Sequence, residues 1–518
     1  MLYLWIVIVS LLVLNLCHWI YQWRNPKCNG KLLPGSMGFP IIGETFEFMK
    51  PHDVLQFPSF VKKRVISGLG LHNIPYINII THFALSTFGG QTYNRHGPVF
   101  RTSLFGSKVI ISMDNELNME IAKTNRTIGV PKSITRLFGD NNLFVQSIES
   151  HKHVRSLTFQ LLGPQGLKLR VIEDIDLLAR KHMEEGARNG FLNVKEAASK
   201  ILIECLAKKV MGDMDPETAK ELAICWRKFP SGWFRFPFKI PGMGVYDMMK
   251  ARKRMMNLLK EVVLKKRASG EEFGEFFKII FGENERGKEK MSVENAINYI
   301  YTFFLIANET TPRILAATVK LISEKPRVMQ ELQREHARIV GDRSEKDAAL
   351  TWEDYKSMTF THMLHHVLTY PSSSHKHGVL FQVINESLRI TTTVPVVLRK
   401  PDHDIQVGDY TIPAGWTFMG YPNVHFNPEK YEDPFVFNPW RWKGKDLSAL
   451  VSKNYVPFGA GPRLCVGAYF AKLLMAIFIH NLCRYRWSMK VETTVTRSYM
   501  LMFPQGCDVQ FSEDTKVD

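Results

Sequence analysis

The sequence predicts a mainly α protein with small β-sheets, an α+β body led by one long apolar segment. Three observations carry that prediction. Residues 2–21 are almost continuously apolar. From about residue 112 to 340, stretch after stretch repeats its apolar residues at helical spacing. The last third breaks into short runs separated by Gly, Pro and Asn turns. No internal repeat and no low-complexity tract interrupts this plan.

The chain has 518 residues and 45% hydrophobic content, enough to bury a large core. Its net charge of +17 is spread along the chain. No aromatic-interleaved basic stripe or finger spacing accompanies that charge, which excludes nucleic acid as a partner. A diffuse basic surface suits either plain solvation or docking to an acidic protein or anionic lipid. The seven cysteines are scattered and odd in number, with no CxxC pair, as in a reduced, cytosol-facing protein.

Leu2 to Tyr21 is long enough to span a bilayer as a helix. Trp19, Tyr21 and Trp23 form an aromatic flank, and Arg24, Lys27 and Lys31 follow it, placing the bulk of the chain on the cytosolic side. A cleaved signal peptide would carry a basic start and a small-residue cleavage site, and neither is evident. Residues 1–23 are therefore read as an uncleaved anchor. Residues 24–44 form a proline- and glycine-rich hinge, with Pro34, Gly35, Gly38, Pro40 and Gly43. Residues 45–518 form the body. Of three glycosylation sequons, at Asn125, Asn308 and Asn385, two fall inside predicted helices, which fits a face that never meets glycosylation.

Within the body, Val99–Phe105 and Lys108–Ser112 read as a hairpin around Gly106-Ser107. Val171–Gly186, Val194–Met211 and Lys250–Lys266 read as amphipathic helices. Trp226–Met243, dense in aromatics, prolines and basic residues, reads as a packed loop or as a lid dipping into a membrane surface. Val293–Glu324 reads as one long helix capped by Ser292. Its middle carries Asn308, Glu309, Thr310 and Thr311, polar groups that need partners in an apolar setting. Pro312 removes one helical hydrogen bond and is expected to kink the helix there. An acid–alcohol pair at a kink offers a groove and a proton relay.

One cysteine stands apart. Cys465 lies in the run FGAGPRLCVG, Phe458 to Gly467. Gly459, Gly461 and Gly467 let the backbone approach a large flat group, and Arg463 can neutralise an anion. The apolar helix expected over Ala468–Leu482 starts directly after, so its N-terminus favours a thiolate. Such a thiolate suits an axial iron ligand.

This decamer resembles the haem-binding signature of the cytochrome P-450 monooxygenases. Four further elements share the resemblance: Glu309-Thr310, Glu386 and Arg389 in VINESLR, Arg441 in FNPWRW, and the hinge GSMGFP. The resemblance implies a P-450 fold with haem b ligated by Cys465, and Arg463 and Arg155 holding the propionates. His151 stands where members often have Trp. Arg399 is a weaker third clamp. It implies a buried Glu386–Arg389–Arg441 triad, and Glu309 and Thr310 as proton carriers for oxygen activation. Ile306 and Ala307 depart from the family's usual small residue and Gly. Also implied are O2, electrons from NADPH through NADPH–cytochrome P-450 reductase, and an endoplasmic reticulum membrane lined by lipid. The pocket walls map onto residues 128–145, 302–307, 391–397 and 499–503, which suit a large apolar substrate. The motifs resemble the plant branch acting on sterols, brassinosteroids, diterpenoids and triterpenes such as thalianol. The alternatives are a haem-thiolate isomerase, which needs no NADPH, and a haem-free inactive chain.

Two stretches interrupt the resemblance, residues 65–92 and 364–382. Each ends at or near a Gln codable as CAG, as retained intron sequence would. The second includes His365, His366, His375 and His377 beside His362, but no carboxylate or thiolate stands at ligand spacing to make them a metal site.

Overall fold

The computed structural model describes the whole chain except residues 1, 27, 40–41, 56–57, 66–96, 125–126, 131–137, 140–147, 169–170, 228–243, 283–290, 342–347, 359–360, 362–382, 395, 422, 444–453 and 517–518. In chain order the longer helices, with the one short helix that bears the acid of the triad, are α1 (Leu2–Arg24), α2 (Ile148–Leu162), α3 (Val171–Arg188), α4 (Val194–Met211), α5 (Gly244–Ser269), α6 (Val293–Ser323), α7 (Pro326–Gly341), α8 (Val383–Ile390) and α9 (Ala468–Cys483). The expected helices are present. α5 starts six residues earlier than Lys250, with Asp247 in its first turn against the positive end of the helix.

The described residues divide into two compact units, where the sequence pattern reads as one body. The first unit gathers stretches far apart in the chain, Met1–His52, Gln56–Ile134 and Val396–Asn423. No local pattern reveals such a gathering. Its sheet contains β1 (Val99–Leu104), β2 (Ser107–Ser112), β3 (Val397–Arg399) and β4 (Thr417–Gly420), in the order β1-β2-β4-β3. β1 and β2 form the expected hairpin, β2 pairs parallel to β4 from Val109↔Thr417 to Ser112↔Gly420, and β4 is antiparallel to β3. Phe60, Phe100, Val109 and Ile111 pack one face of it.

The hinge is docked along β1. Arg101 N–H donates to Pro34 O at 2.8 Å, and Glu44 N–H to Ser103 O at 2.8 Å. Contact this close requires glycine. At Gly35 a Cβ would sit 2.1 Å from Arg101 O, and at Gly43, with φ 65°, 2.0 Å from Ser103 O. The end of α1 joins the same layer through Trp23 Nε1, which donates to Met37 O at 3.3 Å. Among the described residues no helix is long and apolar enough to cross a membrane.

The second unit comprises Asp53–Leu55, Thr135–Pro395 and Val424–Asp518. α6 runs through its core for 31 residues, unbroken across Pro312, with Ser292 Oγ capping Asn295 N–H. It packs on α4, α5, α7, α8 and α9. The strand Asp508–Lys516 pairs antiparallel with Tyr485–Met489 and with Phe191–Asn193. A short hairpin of β5 (Thr496–Arg497) and β6 (Leu501–Met502) completes the unit.

Candidate active site

The cysteine loop is tied down by its own backbone. Gly459 N–H donates to Val456 O, Leu464 N–H to Gly461 O and Cys465 N–H to Phe458 O, each at 3.0 Å. Gly459 and Gly461 hold φ of 80° and 70°, and nothing lies within 4 Å of where a Gly459 Cβ would point. The Cys465 side chain is accessible, although protein surrounds it. Burial raises its thiol pKa. The backbone N–H of Gly467 and the charge of Arg155 act in the opposite direction and favour the thiolate.

Arg155 on α2 reaches the same loop, its guanidinium donating to Leu464 O beside the sulfur. Burial holds the pKa of both Arg155 and Arg463 below the ordinary value. Desolvated cations of this kind favour an anionic partner. One helical turn after Arg155, Thr158 Oγ1 hydrogen-bonds Tyr299 OH, so α2 bridges the cysteine loop and α6. His151 lies one turn before Arg155, half-buried. Sequence reasoning overlooked Lys472 on α9. Its ammonium lies 5.8 Å from the Phe458 ring, and burial lowers its pKa to about 8. Arg399 belongs to the first unit, where it donates to Leu398 O and Ala122 O.

On α6, Thr310 Oγ1 donates to Ile306 O at 2.9 Å. Phe303, Ile306, Ala307, Asn308 and Thr310 are the partly accessible positions of this stretch, and the spacing of all but Asn308 puts them on one face. That face is apolar except for one hydroxyl. Glu309, the residue before Thr310, is buried. Its Oε2 accepts from Arg313 Nη2 at 2.9 Å in a buried ion pair. Asn308 Oδ1 accepts from Ser199 Oγ on α4. The i,i+4 spacing of Glu309 and Arg313 was the available signal for this pair.

The triad is assembled as the motif implies, with two additions. Glu386 Oε1 accepts from Arg389 Nη2 (2.9 Å), Arg441 Nε (2.8 Å) and Asn438 N–H (3.1 Å). Its Oε2 accepts from Arg389 Nε and Trp442 Nε1, both at 3.0 Å. Arg389 Nη1 also donates to His425 O at 2.6 Å, and His425 Nε2 accepts from Val456 N–H at 2.9 Å. Val456 O then receives Gly459 N–H, so the triad supports the cysteine loop through one histidine. Burial lowers the His425 pKa to about 3, which keeps Nε2 an acceptor.

The chain matches the family described as Cytochrome P450 over residues 78–366 and 375–507. It belongs to the cytochrome P450 family. Cytochrome P450 708A2 of Arabidopsis thaliana is 34% identical to it, covering 98% of both chains. Cucurbitadienol 11-hydroxylase of Siraitia grosvenorii is 31% identical, over 98% of this chain and 99% of its own. Beta-amyrin 16-alpha-hydroxylase of Maesa lanceolata is 29% identical, over 98% of both. Among solved structures, retinoic acid-bound cyanobacterial CYP120A1 shares the fold with TM-score 0.69 at 19% identity, over 93% of this chain and 100% of that one. The family match breaks at 367–374, inside the second interruption.

A cytochrome P450 carries a haem with a cysteine thiolate ligand and receives its electrons from a reductase. This P450 offers residues that fit that group. Cys465 supplies the accessible sulfur, Gly459 leaves space where a side chain would stand, and the two half-buried guanidiniums of Arg155 and Arg463 suit a pair of carboxylates. The haem would supply oxygen activation. Among the described residues no group of three or more His, Cys, Asp or Glu is placed to hold a bare metal ion. The lid at 228–243, most of the 128–145 wall, Asn125, both interruptions from residues 66 and 364 onward and the histidines at 362–377 lie outside the described residues.

Proposed function

We propose that this P450 is a membrane-anchored monooxygenase that hydroxylates a large apolar isoprenoid, a triterpene such as thalianol or a sterol, using O2 and electrons from NADPH–cytochrome P-450 reductase. Cys465 is the haem ligand, Arg155 and Arg463 hold its propionates with His151 beside them, and Phe458, Gly459, Gly461 and Gly467 shape its cradle. Thr310 and Glu309 carry protons. The observation that carries the reading is the accessible face of α6, apolar except for the Thr310 hydroxyl, in the same unit as the accessible Cys465 sulfur. An apolar wall with one polar group orients a large apolar substrate without binding its charge. The relatives named for cucurbitadienol and β-amyrin hydroxylation support a triterpene. A brassinosteroid or diterpenoid of similar bulk is the second choice.

Anchoring rests on α1. At about 1.5 Å per residue its 23 residues reach roughly 34 Å, against a hydrocarbon core of about 30 Å. Leu11, Leu12, Val13, Leu14 and Leu16 are all exposed, so the helix presents apolar surface around its circumference. The basic flank after α1 supports a single-pass orientation with the catalytic body cytosolic, and the family resemblance supports the endoplasmic reticulum as the membrane.

The test is a panel of triterpenes and sterols fed to microsomes holding the chain and its reductase, with wild type and Cys465→Ala in parallel. Wild type should show the red-shifted reduced carbon monoxide band and an NADPH-dependent hydroxylated product. Cys465→Ala should show neither. Product formed without NADPH would indicate an isomerase, and a wild type with no band would indicate an inactive chain.

A further inference from the structure

We propose that Arg313 is a positioning residue for proton delivery, a tether that fixes the Glu309 carboxylate of α6 to the β5–β6 hairpin. The inference rests on the reading of Glu309 as a proton carrier. One guanidinium spans both groups: Nη2 donates to Glu309 Oε2 and Nη1 to Leu501 O, each at 2.9 Å. The Arg313 and Glu309 side chains are 8% and 7% exposed, and Leu501 is fully buried. A planar fork that serves two acceptors at once cannot be replaced by a lysine's single ammonium.

The hairpin is anchored at its other strand as well. Arg497 Nη1 donates to Thr392 O at 2.5 Å, within a stretch that the family resemblance maps to the pocket wall, as it does residues 499–503. The arginine therefore connects the acid to pocket-wall backbone, so displacement of the hairpin displaces the acid. The α4 side closes the arrangement. Ser199 holds Asn308, the residue before the acid, and Lys195 sits one turn earlier on the same helix. Burial lowers the Lys195 pKa, Arg313 lowers it further and Glu309 opposes them, so this ammonium feels the charges of both members of the pair.

The consequence for the reaction is a choice between two balanced outcomes. In hydroxylation, R–H, O2, NADPH and one proton give R–OH, NADP+ and water. Without substrate, O2 with two NADPH and two protons gives two waters and two NADP+. When protons arrive late, O2 with one NADPH and one proton leaves as hydrogen peroxide and NADP+. Protons enter from solvent through the Glu309 carboxylate and the Thr310 hydroxyl, and the tether fixes where on α6 the carboxylate is held, one residue before Thr310.

The test uses the full-length holoenzyme with reductase. It compares wild type, Arg313→Gln, Arg313→Lys, Glu309→Gln and the Arg313→Gln/Glu309→Gln double variant. Peroxide released per NADPH is counted without substrate, so no substrate identity is needed, and hydrogen exchange is followed over residues 496–502. Arg313→Gln should exchange about tenfold faster in the hairpin, as expected for a lost charge-assisted hydrogen bond. Its water-forming share should fall about tenfold, a modest part of what positioned proton transfer supplies. Arg313→Lys should recover only part of either effect. The double variant should match Glu309→Gln in peroxide yield, because the arginine acts through the acid. Unchanged hairpin exchange in Arg313→Gln overturns the tether. Wild-type peroxide yield in Arg313→Gln, with Glu309→Gln uncoupled, overturns the positioning role. Wild-type yield in Glu309→Gln refutes the proton-carrier reading instead and leaves the tether standing.

Discussion

Replacing Glu386 by glutamine should remove about half of the stability of the haem-binding unit. The wild-type carboxylate is fully buried and accepts five hydrogen bonds, three at Oε1 and two at Oε2. An amide offers one accepting oxygen. In its better orientation it keeps the three donors at Oε1 and turns its NH2 against Arg389 Nε and Trp442 Nε1. Two buried donors then lack acceptors, at about 1–3 kcal/mol each. The guanidiniums of Arg389 and Arg441 also lose their counter-charge, and breaking a buried pair in this way typically costs about 3–5 kcal/mol. These contributions overlap, so about 4–6 kcal/mol is the working figure, against a usual total of about 5–15 kcal/mol. The assay is urea unfolding followed by circular dichroism, with haem per protein taken from the carbon monoxide spectrum. Glu386→Gln should unfold at much lower urea and lose its haem band, because the path from Arg389 through His425 to the cysteine loop fails with it. A midpoint shift worth less than about 1 kcal/mol with haem retained would show that the carboxylate does not organise this unit.

Two further outcomes are expected. His336 and His425 are buried and both held near pKa 3 by desolvation, against about 6.5 when unfolded. The unfolded chain therefore binds more protons between these values, and stability falls as pH drops below 6.5. The loss is about 2 kcal/mol per histidine at pH 5. Urea midpoints from pH 7 to 5 test this: His425→Gln, whose amide oxygen can accept from Val456, should remove about half of the slope, and a flat profile in wild type would contradict it. Deleting residues 1–24 should release the chain from carbonate-washed membranes. A truncated chain that stays in the pellet would show that α1 is not the anchor.

The sequence patterns reached the helices and the short motifs because both are local. Val194–Met211 was legible to the residue, since Asn193 caps it and Gly212 ends it. Glu386 and Arg389 were legible as a pair three apart. Trp442 and Asn438 were not legible as their partners, because the chain returns to the same carboxylate only after about fifty residues. His336 meeting His480 at 3.0 Å was invisible for the same reason. The division into two units depends on residues 396–423 joining the N-terminal segments, which no window can show. Glu309 is legible as polar and mid-helix, and Arg313 stands one turn on at i,i+4, but its second acceptor, Leu501 O, lies too far along the chain for any local pattern to show.

One backbone contact bears on the second interruption. Ile384 N–H donates to Thr361 O at 3.2 Å. With residues 364–382 struck from the chain, Ile384 would stand four positions after Thr361, and this contact would be an ordinary first rung of an α-helix. Thr361 and Ile384 thus already stand as such a rung requires. A shorter transcript would join them without relocating the acid of the triad, so long and short isoforms should build the same furnace around different amounts of surplus chain.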